Sequence, residues 1–86
     1  MHRDSSQFWA AYNGLPQAVR EQADAAYALL KIDPRHPSLR LKKVGTYWSV
    51  RVGLRYRALG VESDDGFVWF WIGNHADYDA LIAGKR

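Results

Sequence analysis

The segment FVWFWI, residues 67–72, leaves a folded chain few options. Six successive residues, all aromatic or β-branched, favour extended backbone, and such a strand has no polar face to offer to water. It is therefore expected centrally in a sheet. The run stops at Gly73, and Asn74, His75, Ala76, Asp77, Tyr78 and Asp79 come directly after it. Asn74 suits a helix N-cap and Asp77 the third helical position, near the positive end of the helix, which predicts a last helix through Ile82. The boundary is either a capped helix start or the rim of a site.

The preceding strands alternate with a period of two. LRLKKV, from Leu39, alternates apolar and basic residues; Gly45 and Thr46 turn the chain; YWSVRV alternates again. Gly53 interrupts, RYRALGV forms another strand, and ESDDG reads as a hairpin loop because Asp-Gly suits positive φ. In YWSVRV, Trp48, Val50 and Val52 share the core side, while Tyr47, Ser49 and Arg51 share the other.

Upstream the period is helical. Ser5 or Ser6 can cap a short helix carrying Phe8, Trp9 and Tyr12; Asn-Gly-Leu-Pro then breaks it, and Pro16 suits the first turn of a second helix. Val19, Ala23, Ala26 and Leu30 form one apolar stripe, widened by Tyr27, until Asp33-Pro34 ends the helix and DPRHPS forms a loop. The short turn between the helices predicts an antiparallel hairpin. The order α-α-β-β-β-β-α predicts an α+β domain, with an N-terminal helical hairpin packed on one face of a small antiparallel β-sheet and a short C-terminal helix on that same face. At 86 residues, one domain spanning 1–86 is expected.

The absence of cysteine rules out disulfides, thiolate metal sites and a cysteine nucleophile. No segment has the pattern of a signal peptide or the roughly 20 apolar residues of a membrane span, so a soluble cytoplasmic protein with no membrane partner is expected. His2, His36 and His75 lack metal-ligand spacing, and there is no glycine-rich phosphate loop or nucleophile elbow, so neither metal nor cofactor is expected.

The net charge of +3 is unevenly distributed. Residues 34–61 hold seven basic side chains (Arg35, Arg40, Lys42, Lys43, Arg51, Arg55, Arg57) and no acid. Such a block suits a polyanion or an acidic protein, though Lys and Arg also protect the edge of a surface strand. Pairing across the Gly53 turn would bring Arg51, Arg55 and Arg57 near one another, and an anion would offset their repulsion; the alternatives are splaying into solvent or pairing with Glu62, Asp64 and Asp65. His75 is the side chain with the most evident acid–base capability, and Tyr78 lies one helical turn further on.

LPQAVREQADAAYALLKIDPRHPSLRLKKV, YWSVRVGLRYRALGV and WIGNHADYDALI occur in the order and spacing that resemble the RelE/ParE superfamily of toxins from type II toxin–antitoxin systems, over residues 15–82. The resemblance implies a cognate antitoxin lying over the basic groove. In the RelE-like branch it implies metal-independent cleavage of ribosome-bound mRNA, with the ribose 2′-OH attacking the adjacent phosphate. On matching positions, Arg57 falls where the family contacts the scissile phosphate, Arg51 at a basic position of the preceding strand, and His75 where a functional Arg or His follows the Gly. Tyr78 lies near the family's C-terminal tyrosine at a different spacing. Arg40, Lys42, Lys43 and Arg55 are candidates for holding RNA or the partner. Two departures stand out: Ser49 replaces a second basic residue, and the usual N-terminal strand is expected to be missing. A ParE-like inhibitor of DNA gyrase, or a toxin fold surviving as an interaction module, are the alternatives the resemblance leaves open.

Overall fold

The computed structural model describes residues 2–4, 6–64 and 66–83; Ser5, the alternative first cap, and Asp65 of the hairpin lie outside the described residues. Strand β1 (His2–Asp4) is followed by helices α1 (Ser6–Asn13) and α2 (Gln17–Ile32). A 3-10 turn (Pro37–Leu39) leads into β2 (Lys42–Val44), β3 (Tyr47–Val52), β4 (Tyr56–Ser63) and β5 (Gly66–Asn74), and helix α3 (His75–Ile82) completes the fold. The strands form one sheet in the order β1-β5-β4-β3-β2.

Strand β5 takes the interior position that its two-sided apolar run requires, antiparallel to β4 on one edge and parallel to β1 on the other. The presence of β1 corrects the expectation of a missing N-terminal strand: His2, Arg3 and Asp4 pair with Phe67, Val68 and Trp69. Three polar residues carry no alternation to be read. Their backbone nonetheless meets the hydrogen-bonding groups on the second edge of β5, which would otherwise lie open.

Helices α1 and α2 cover one face of the sheet. Ala23 and Leu30 of α2 join Val50, Val52, Ala58, Trp69 and Ile72 in one core, with Phe8, Tyr12 and Tyr27 packed against it. The Tyr12 hydroxyl donates to Asp24 Oδ1 at 2.8 Å and ties the two helices together. That hydrogen bond raises the Tyr12 pKa above its usual value, because ionisation would remove the donated proton. Pro16 stands at the N-cap of α2, one residue before its expected place.

Helix α3 lies on the opposite face, not beside the hairpin as expected. Its Tyr78 and Ile82 pack on Leu59, with Val44, Tyr47, Phe70 and Trp71 around them. The cause is a β-bulge in β5. Leu59 pairs with Trp71 while its neighbour Gly60 pairs with Trp69, leaving Phe70 as the extra residue. Phe70 and Trp71 thus both turn toward α3, and Ile72 returns to the hairpin side.

The strand expected from Leu39 starts at Lys42, because Leu39 is pulled into the core at 1% exposure by the 3-10 turn. Arg40 then takes a left-handed conformation, φ 47°, to leave that turn. Among the described residues no helix is long and apolar enough to cross a membrane.

Leu59, fully buried at the centre of the α3-side core, is the side chain whose truncation should cost most there. Leu59→Ala is expected to destabilise the fold by about 2–5 kcal/mol, read as a lower urea midpoint with an unchanged slope. A loss below about 1 kcal/mol would show that α3 does not form this core in solution.

Candidate functional site

Antiparallel pairing across the Gly53 turn makes Arg51 and Arg57 direct partners on β3 and β4. Gly53 takes φ 60°, which a side chain resists, and the amide of Gln22 occupies the space a Cβ would need. Two like charges at paired positions repel, and their heads are held differently. Arg51 Nε donates to the Gly53 carbonyl at 2.8 Å, so its guanidinium turns back along the hairpin into a cleft lined also by Gln22, Leu29 and Leu54. The Arg57 guanidinium carbon lies 5.6 Å from the centroid of the Tyr78 ring.

Tyr78 continues this cluster to His75, with ring centroids 5.8 Å apart. His75 opens α3 where the sequence placed it: Asn74 Oδ1 accepts from the Asp77 N–H at 2.8 Å, capping the helix. The His75 N–H donates to the Arg55 carbonyl at 2.7 Å, which ties the helix start to the β3–β4 turn. Its Nε2 lies 3.3 Å from Asp79 Oδ2, an exposed i, i+4 contact on α3. Asp79, four residues on, was legible from helical spacing and was missed. Gly73 pairs with Arg57, and the Trp71 indole fills the space where a Cβ at 73 would sit. That close approach is why the apolar run ends in glycine.

Three buried polar atoms among the described residues have no hydrogen-bond partner: Ser49 Oγ, Arg57 Nη1 and Tyr78 Oη. Ser49 pairs with Leu59 and shares the face of Arg51 and Arg57, so all three atoms belong to the α3 side of the sheet. Unpaired buried polar atoms are costly, and a guanidinium N–H is a strong donor to an anion.

The remaining sequence candidates do not join this cluster. Lys42 pairs with Ser49 and shares the Arg57 face, whereas Lys43 pairs with Trp48 on the hairpin face. There its Nζ lies 3.9 Å from Glu62 Oε1 and 5.9 Å from the centroid of the Trp48 ring. Arg55 is exposed in the turn, and Arg40 borders a separate cleft beside Trp48. In place of three converging arginines there is a backbone pairing of Arg51 with Arg57 whose heads part, with Arg55 contributing its backbone. Among the described residues, no group of three or more His, Cys, Asp or Glu side chains is placed to hold a metal ion.

A helical hairpin on one side of a sheet and a short terminal helix on the other make an α+β fold that matches solved RelE toxin structures. A chain of the RelB–RelE antitoxin–toxin complex from Methanococcus jannaschii superposes with a TM-score of 0.72 at 14% identity, covering 92% of this chain and 96% of that one. The isolated E. coli RelE toxin gives a TM-score of 0.63 at 15% identity and 94% coverage of both chains. A chain of the intact E. coli RelBE complex gives 0.63 at 16%, covering 86% and 94%. The ParE-like toxin domain matches residues 17–80, and the chain belongs to that family. No curated protein matches this sequence.

Because the Tyr78 hydroxyl is buried without a partner, its removal relieves a desolvation cost. Tyr78→Phe is expected to leave stability unchanged or raise it by about 1 kcal/mol in chemical denaturation. A loss of more than about 1 kcal/mol would show that the hydroxyl is hydrogen-bonded in solution.

Proposed function

We propose that this chain is the toxin of a type II toxin–antitoxin system and that it cleaves ribosome-presented mRNA without a metal, held in check by a cognate antitoxin. The observation that carries this reading is the contiguous set of Arg57, Tyr78 and His75, with Arg57 Nη1 lacking any internal partner. In the reaction the ribose 2′-oxygen loses its proton and forms a bond to the adjacent phosphorus, and the bond from phosphorus to the 5′-oxygen breaks. The products are a 2′,3′-cyclic phosphate and a 5′-hydroxyl. His75 transfers the proton, its ring directed by Asp79. Arg57 stabilises the charge that develops on the phosphate, and Arg51 joins it on release from the Gly53 carbonyl. Tyr78 orients Arg57, and Lys42, on the same face, holds the RNA backbone.

A second reading has support from one residue. Ser49 is fully buried, so the position where a second basic side chain would assist phosphate chemistry cannot present one here. This favours a non-catalytic ParE-like contact with DNA gyrase, in which the basic block serves target and antitoxin.

The two are separated in a reconstituted translation reaction with cuts mapped by primer extension. Arg57→Ala is expected to lower the cleavage rate by about a hundredfold or more, and His75→Ala by a similar factor. Intact message in the presence of demonstrably folded wild-type protein would reject the nuclease, and inhibition of gyrase supercoiling would then establish the second reading.

A further inference from the structure

The basic block divides between the two faces of the sheet, and the half remote from Arg57 borders its own cleft of about 520 Å³. Its walls are the Pro34–Pro37 loop, Arg40 and Leu41 on one side, and the Trp48 and Phe67 rings on the other. The rings meet edge to face at 5.8 Å. The Trp48 indole N–H is spent on Glu62, whose carboxylate is also 3.9 Å from the Lys43 ammonium. The ring therefore offers no donor to the cleft, and the Lys43 cation that matches the nearby acid also lies 5.9 Å from its centroid. Arg35 and Arg40 are exposed, and no acidic side chain lines the cleft among the described residues.

Two backbone features position these cations. Arg40 is the sole non-glycine residue with positive φ among the described residues, held at the end of the 3-10 turn by its N–H to the Pro37 carbonyl. A left-handed arginine is uncommon and costs strain that the surrounding turn must sustain. His36 caps the same turn, its Nδ1 accepting from the Ser38 N–H at 3.2 Å. Nδ1 also lies 2.8 Å from the Ser38 hydroxyl, so Nε2 is the ring nitrogen left to meet a ligand.

We propose that this cleft binds a nucleoside phosphate, with the base against the Trp48 and Phe67 rings and the phosphate on Arg35, Arg40 and His36. A flat ring with a fixed anion beside it matches an aromatic wall with a guanidinium rim, and the volume suits a small ligand. An aliphatic peptide side chain would fill the wall but leave the cations unused. The ligand is either a free nucleotide or one unit of a single-stranded RNA. The site stands apart from the Arg57 cluster and does not depend on cleavage there.

The test follows the Trp48 indole N–H by NMR in the full chain, titrated with AMP, adenosine, inorganic phosphate, a short oligoribonucleotide and an acidic peptide. AMP is expected to shift this resonance at lower concentration than adenosine or phosphate. The exposed-site double variant Arg35→Gln/Arg40→Gln should weaken it by roughly tenfold or more, and Arg57→Ala should leave it unchanged. Tighter binding by the oligonucleotide than by AMP assigns the cleft to an RNA chain; equal binding assigns it to a free nucleotide. No shift with either nucleotide species, phosphate acting as well as AMP, a response only to the peptide, or loss of binding in Arg57→Ala alone would each overturn the proposal. Binding without mRNA cleavage would reject the nuclease and leave this site standing; cleavage without binding would do the reverse.

Discussion

Phe70 is one residue too many for the ladder between β4 and β5, and the sheet absorbs it as a bulge. Strict alternation would send Trp69 and Trp71 to the same side and put Phe70 and Ile72 together on the other. With the bulge, Phe70 and Trp71 face α3 together while Trp69 and Ile72 face the hairpin. A two-sided apolar strand needs cover on both sides, and this register supplies side chains for two cores. The bulge also sets the place of the last helix, because Gly73 is turned to the Arg57 side and α3 starts over that arginine rather than over α2.

Much of this was legible where patterns are long. The apolar stripe of α2, the alternation in β3 and β4, the Gly53 turn and the Asn74 cap all appear as expected, because each has a local physical cause. The side taken by α3 was not, because a bulge inverts parity and leaves no mark in a run where every residue is apolar. Strand β1 was missed for the opposite reason: its partner is a distant strand edge, and nothing in three polar residues announces it.

The candidate site was legible in its members more than in its geometry. The pairing of Arg51 with Arg57 came from the turn, but the Arg51 head is drawn to a backbone carbonyl that sequence cannot place. Lys42 and Lys43 were grouped because they are neighbours, yet a period of two puts neighbours on opposite faces. Alternation alone was enough to separate them. Ser49 was noted as a missing cation, and the structure adds that its position is fully buried.

The polar atoms beneath α3 conflict with the otherwise consistent packing of that face. A fold selected only for stability would not retain a buried hydroxyl, a buried serine oxygen and a guanidinium nitrogen unpaired on one side of one sheet. Replacing Tyr78 by phenylalanine would keep the contact with Ile82 and Leu59 and remove one of the three. The hairpin side differs in kind, since Lys43, Glu62 and the Trp48 indole satisfy one another and leave the cleft cations at the rim in solvent. The two halves of the basic block therefore have different electrostatic states: in one, Arg57 Nη1 is buried and unpaired near the Tyr78 ring, while in the other Arg35 and Arg40 are exposed beside an aromatic wall. A buried donor gains most from a ligand that excludes water with it, whereas an exposed pair is screened and contributes mainly through the shape of the wall beside it.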